Sequence, residues 1–153
     1  MCRPFCRRPA YTTAYQDMDA RILSFGDMVK YHNTILSFIG IARISGAYSA
    51  IYDGKYTVQA KIEDDSILPV PITEEFLEKK GFEWSLNDDG KEQYYNSKGS
   101  VRLIKDSLGF WIVDCFAYRI RNSIQEYSIK WVHELQAILR TCGRDEFARN
   151  LNS

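Results

Sequence analysis

Turn residues recur every few positions through residues 21–67, and they leave no room there for a helix of ordinary length. Gly26-Asp27, His32-Asn33, Gly46 and Asp53-Gly54 punctuate short runs rich in Ile, Val, Tyr, Phe and Thr, side chains that suit a pleated, half-buried surface. Asp53-Gly54 is the sharpest of these signals. A type I′ turn wants positive φ at both central residues, so a hairpin is expected between Ala50-Ile51-Tyr52 and Tyr56-Thr57-Val58. About four or five strands in so short a stretch suit a small bent β-sheet or an SH3-like barrel, which limits exposed edges by curling on itself.

Leu68-Pro69-Val70-Pro71 then holds the chain extended, because each proline disfavours helix in the residue before it. A short helix is expected next, capped by Thr73, with Glu74 and Glu75 at the positive end of its dipole and Gly81 as its stop. Strand-like runs follow, separated by turns at Asn87-Asp88-Asp89-Gly90, Ser97-Lys98-Gly99 and Ser107-Leu108-Gly109, which reads as an antiparallel meander. From about Ser128 the period becomes helical: Ile129, Val132, Leu135 or Gln136, and Leu139 share one face, and Gly143 ends the run. The expected class is therefore α+β. Residues 1–17 are expected to be a poorly packed extension, 18–68 a strand-rich SH3-like lobe, and 69–153 a helix, a meander and a C-terminal helix packed on the sheet.

The 20 Lys and Arg balance the 20 Asp and Glu, so a general electrostatic grip on nucleic acid or on an anionic membrane is not expected. The balance is uneven along the chain: residues 60–93 carry ten acids and four bases, and residues 98–153 nine bases and six acids. No run approaches the roughly 20 apolar residues of a spanning helix, so no membrane association is expected. Cys2 and Cys6 lie in the opening tail, Cys115 in a strand-like run and Cys142 at a helix end. These do not form a disulfide framework, and a reducing, cytoplasmic compartment is expected.

Three segments carry a family resemblance. Asp19-Ala20-Arg21-Ile22 through Phe25-Gly26-Asp27-Met28-Val29, the stretch Leu68-Pro69-Val70-Pro71-Ile72-Thr73-Glu74-Glu75-Phe76-Leu77-Glu78-Lys79-Lys80-Gly81-Phe82, and Trp131-Val132-His133-Glu134-Leu135-Gln136 occur in that order. Together they resemble a family of small accessory proteins encoded by phages and mobile elements of gut bacteria. The family shows an Arg-Ile-Gly-Asn opening, a central Pro-x-Pro-x-Thr-Glu-Glu-x-Leu-x-Lys-x-Gly-Phe motif and an aromatic-Val-His-x-Leu-Gln helix. The resemblance implies a phage or prophage accessory role and no particular activity. This chain departs from the pattern at Ser24-Phe25-Gly26-Asp27 and at Glu134, where Gln is usual. The family's start corresponds to Met18, which is why residues 1–17 read as an extension.

His133 and Glu134 are the first place to look for acid and base work, but neighbours on a helix point about 100° apart. His133 is also explained as a packed histidine at the seam between helix and sheet. The Glu63-Asp64-Asp65 and Asn87-Asp88-Asp89-Gly90 clusters lack the alternating ligands of a calcium loop, and Cys2 and Cys6 lack visible partners for zinc. No metal and no cofactor are expected. Aromatic residues crowd the meander, and those left outward beside Arg102, Lys105, Arg119 and Arg121 could stack bases or grip a protein. Arg102, Lys105, Trp111, Arg119 and Arg121 are accordingly the expected binding strip, with His133 and Glu134 a polar candidate. The leading expectation is a non-catalytic binding or adaptor protein with an unidentified protein partner. The alternatives are a nucleic-acid or nucleotide-binding module that sequesters a host ligand, and an enzyme centred on His133.

Overall fold

A computed structural model describes residues 18–115 and 127–152, and the expectation for residues 1–17 lies outside them. The described chain is α+β and divides into two units, 18–70 and 71–152, each built on a five-stranded antiparallel sheet. No described helix is long and apolar enough to cross a membrane.

In the first unit the strands are β1 (Met28–Tyr31), β2 (Thr34–Ile44), β3 (Ala47–Gly54), β4 (Val58–Ala60) and β5 (Ile67–Pro69), in the order β4-β3-β2-β1-β5. Two-residue turns join the first three. His32 takes φ 55° between β1 and β2, and Ser45-Gly46 takes φ 52° and 84° between β2 and β3. Two positive values in succession are the type I′ pattern, whose twist matches that of the strands it joins. The turn expected at Asp53-Gly54 is not of this kind. Gly54 is the last residue of β3, opposite Leu36, and β4 begins after residues 55–57, with Tyr52 facing Val58. A Cβ at Gly54 would come within 2.9 Å of the Ile35 carbonyl oxygen, so glycine stands there for close strand approach and not for a left-handed turn.

The sheet is open, not a barrel: β4 pairs with β3, β5 pairs with β1, and these two edges do not meet. With three residues each, they have few backbone groups with which to close a ring. Between Phe38 and Gly40 the β2–β3 register shifts, and the extra residue, Ile39, resets the alternation. Leu36 and Phe38 before the bulge and Ile41 after it therefore share the core face. Val29, Leu36, Phe38, Ala50, Tyr52 and Ile67 form the core, with Met18, Ala20 and Leu23 from the opening segment packed among them. That segment is clasped onto β2: Gly26 N–H donates to the Phe38 carbonyl, Phe38 N–H to the Asp27 carbonyl, each at 2.8 Å, and the Asp27 carboxylate accepts from Ser24 N–H at 2.8 Å.

The second unit opens with α1 (Glu74–Lys79), whose first turn is capped as expected: Thr73 Oγ1 accepts from Phe76 N–H at 3.0 Å. Then β6 (Glu83–Leu86), β7 (Glu92–Asn96), β8 (Val101–Lys105), β9 (Trp111–Cys115) and β10 (Tyr127–Ile129) pair in chain order, an uninterrupted meander. Tyr94, Val101, Leu103, Trp111, Val113 and Ile129 are buried and fall on one face by register. The amphipathic helix α2 (Val132–Thr141) starts at Val132 and not near Ser128, because Tyr127–Ile129 pairs with β9 and Ile129 belongs to the sheet. It buries Val132, Leu135, Gln136, Ile138 and Leu139, and α3 (Asp145–Asn150), which the sequence pattern did not separate from it, follows. Gln136 ties the two helices by donating to the Ala148 carbonyl and to Asn152 Oδ1, both at 3.0 Å. Arg144 Nε donates to the Gly99 carbonyl at 3.2 Å, and the Phe147 ring lies where a Cβ on Gly99 would be. Those two contacts hold the C-terminal helices to the β7–β8 turn.

Candidate functional site

Strand alternation divides the residues that the sequence grouped as a basic and aromatic strip. Arg102 pairs with Asp114 across β8 and β9, while Lys105 pairs with Trp111; being three apart on one strand, Arg102 and Lys105 project to opposite faces. Arg102 makes an ion pair with Asp114 at 2.6 Å. Lys105 reaches Glu74 on α1 at 3.3 Å, with its ammonium 5.7 Å from the Trp111 ring centre. Trp111 goes to the core. It is 2% exposed, donates its indole N–H to the Ile72 carbonyl at 3.0 Å, and meets Tyr94 edge to face at 5.8 Å. Its burial is worth about 3 kcal/mol in apolar area, so this side chain is committed to folding. Arg119 and Arg121 lie outside the described residues.

Glu134 sits in the first turn of α2, where its carboxylate accepts from the backbone N–H groups of Lys130 and Trp131 at 2.9 and 3.0 Å. That is the carboxylate half of a capping box, satisfying donors that the helix start leaves over. His133 is buried in the same turn. The structure thus gives Glu134 a capping duty and does not turn it toward His133.

A different surface emerges in the first unit. Strands β2 and β3 outgrow their neighbours: β2 is 11 residues long and β3 is 8, while β4 reaches only to Ala60, opposite Ala50. Beyond that point the two strands form an arm. Its core-facing side carries Ile41, opposite Ala50, and the pair Arg43 and Tyr48, with the Arg43 guanidinium 5.9 Å from the Tyr48 ring centre. Ile41 is 42% exposed and Tyr48 64%, because the core ends beneath them. An open groove of about 360 Å³ runs there, lined by Arg21, Ile41, Tyr48, Ile62 and Glu63.

The rim of the groove is charged. Arg21 follows Asp19 at the 3₁₀ turn Ala20–Ile22 and donates through its guanidinium to Asp19 at 2.7 Å and to Glu63 at 3.0 Å. The guanidinium holds the Asp19 carboxyl below the usual carboxylate range, against the opposing pull of burial. An isolated bridge between Asp19 and Glu63 joins the same two segments through the backbone. On the arm side, residues 47–49 of β3 are paired to β2, and no strand among the described residues pairs with their other edge.

Sequence reasoning missed this groove, although one signal was present. Ile35, Leu36, Phe38, Ile39 and Ile41 place apolar side chains on both faces of a single strand, more than an open sheet with one buried face can cover. Compared with known proteins, the chain matches no family model, no curated protein and no solved structure.

Proposed function

We propose that the protein is a non-catalytic binding module that takes an extended segment of a protein partner into the groove beneath the β2–β3 arm. The observation that carries this reading is the exposure of Ile41 and Tyr48 on the core-facing side of an arm whose β3 edge, among the described residues, has no strand beside it. An incoming strand would supply backbone hydrogen bonds to residues 47–49 and set alternate side chains against the apolar floor, the logic of strand addition to a sheet edge. The exposed Arg21–Glu63 ion pair makes the rim polar, which favours a partner segment with polar residues flanking an apolar one. The motif resemblance supports an accessory role in a phage or mobile-element setting, acting in the cytoplasm of a host cell.

The test is selection of short peptides from a random displayed library on the full-length protein. Recovered peptides are expected to carry alternating apolar residues, to shift backbone resonances at residues 41–49 and 62–63, and to bind at least about tenfold more weakly to Tyr48→Ala, as an aromatic anchor at an interface centre would require. Peptides that bind Tyr48→Ala as well as the parent protein, or that shift only resonances elsewhere, overturn the reading. If oligonucleotides bind instead, with affinity falling steeply as salt rises, the nucleic-acid alternative replaces it.

A further inference from the structure

Cys115 and Cys142 are 27 positions apart in the chain and come together in the second unit. Cys115 ends β9 and pairs with Val101 on the helix-covered face. Cys142 is the residue that ends α2. Their approach is enforced by contacts that neither thiol makes. Arg144, two residues past Cys142, is bonded to the Gly99 carbonyl at 3.2 Å, and the Phe147 ring packs on Gly99, two residues before Val101. The end of α2 is thereby held over the end of β9, which makes the two thiols neighbours. Both are free thiols and both are partly exposed, so a small oxidant has access.

We propose that Cys115 and Cys142 form a reversible dithiol–disulfide site whose co-reactant is a peroxide. The chemistry balances with two electrons. The Cys115 sulfur attacks one oxygen of hydrogen peroxide, the O–O bond breaks, one water leaves and a sulfenic acid remains on Cys115. The Cys142 sulfur then attacks the Cys115 sulfur, the S–O bond breaks, and a second water leaves with the remaining thiol proton. Two thiols are oxidised to one disulfide and one peroxide is reduced to two waters. The order of roles follows from burial, which together with the neighbouring Cys115 pushes the Cys142 thiol up to about 12 and leaves the first attack to Cys115. The product would bolt the end of α2 to the end of β9, closing a loop that includes residues 116–126.

The experiment uses the full chain with Cys2 and Cys6 replaced, C2S/C6S, so that only the two inner thiols remain, and treats it with hydrogen peroxide. The expected product is monomeric and about 2 Da lighter, with a single peptide pair linked through Cys115 and Cys142. Its melting temperature is expected to rise by about 8 °C or more, as closure of a loop of this length implies, and dithiothreitol should reverse both changes. In C2S/C6S/C142A the reaction should stop at a sulfenic acid on Cys115 that dimedone traps. Products that gain oxygen without a linked peptide, or that are mainly covalent dimers, overturn the proposal.

Discussion

Tyr52 shows how burial turns one side chain into a pH-dependent contribution to stability. It is fully buried in the first unit's core, and burial, with smaller contributions from the carboxylates of Asp64 and Asp19, pushes its phenol from 10.0 up to about 12. Between those values the folded chain keeps the proton and the unfolded chain loses it. The contribution is therefore whole below pH 10 and is lost as pH rises toward 12, by up to about 2.7 kcal/mol. In urea titrations at about pH 9 and about pH 11.5, wild type is expected to lose about 2 kcal/mol more than Tyr52→Phe; equal losses would show that the phenol does not titrate with folding. At this scale the sequence was legible for residue type and silent on direction. Trp111, Arg102 and Lys105 do lie on neighbouring strands as expected, but alternation sends Trp111 inward beside Tyr94 and turns Arg102 away from Lys105.

The start of α1 and the glycine stops at Gly81 and Gly143 were the most legible helix ends, because a cap is a local interaction between residues three or four apart, whereas the start of α2 was set by the pairing of Tyr127–Ile129 with β9. Thr73 caps α1 as its position before Glu74 and Glu75 implies. Glu134 caps α2 through its carboxylate, and glutamate and glutamine both accept from the N-terminal donors of a helix. Glu134→Gln is expected to be nearly neutral and Glu134→Ala to cost about 1 kcal/mol in denaturant titrations; an equal loss in both would point to a role for the charge itself. Turns were legible in place and less so in kind. Ser45-Gly46 forms the tight hairpin, whereas Asp53-Gly54 is drawn into β3 by pairing with β2. Local turn chemistry yields there to cross-strand hydrogen bonds, which a pattern of neighbours along the chain does not reveal.

At the scale of the whole molecule, two separate sheets with separate cores imply that protection from hydrogen exchange is also partitioned. The slowest amides of the first unit are expected at Val29, Leu36, Phe38 and Tyr52, where the core is. Residues 43–48 at the arm's end are expected to exchange at least about tenfold faster, because their hydrogen bonds join two strands with little buried beneath them. Arm amides as slow as those of the core would mean that the arm is covered, and would remove the groove as a free surface. Legible from the chain alone were the places where its direction changes, the cap of α1 and the glycine stops, the strands before and after the Leu68-Pro69-Val70-Pro71 stretch, and the α+β class. Each of these depends on φ restrictions, caps and periodicity, which act over a few residues. Tertiary structure alone decided that the first sheet stays open, that Ile39 bulges and sets Ile41 over the groove, that Trp111 is core, and that Cys142 meets Cys115. Those outcomes depend on strand register and on which surfaces remain uncovered once distant segments have paired, and no short window of residues contains that information.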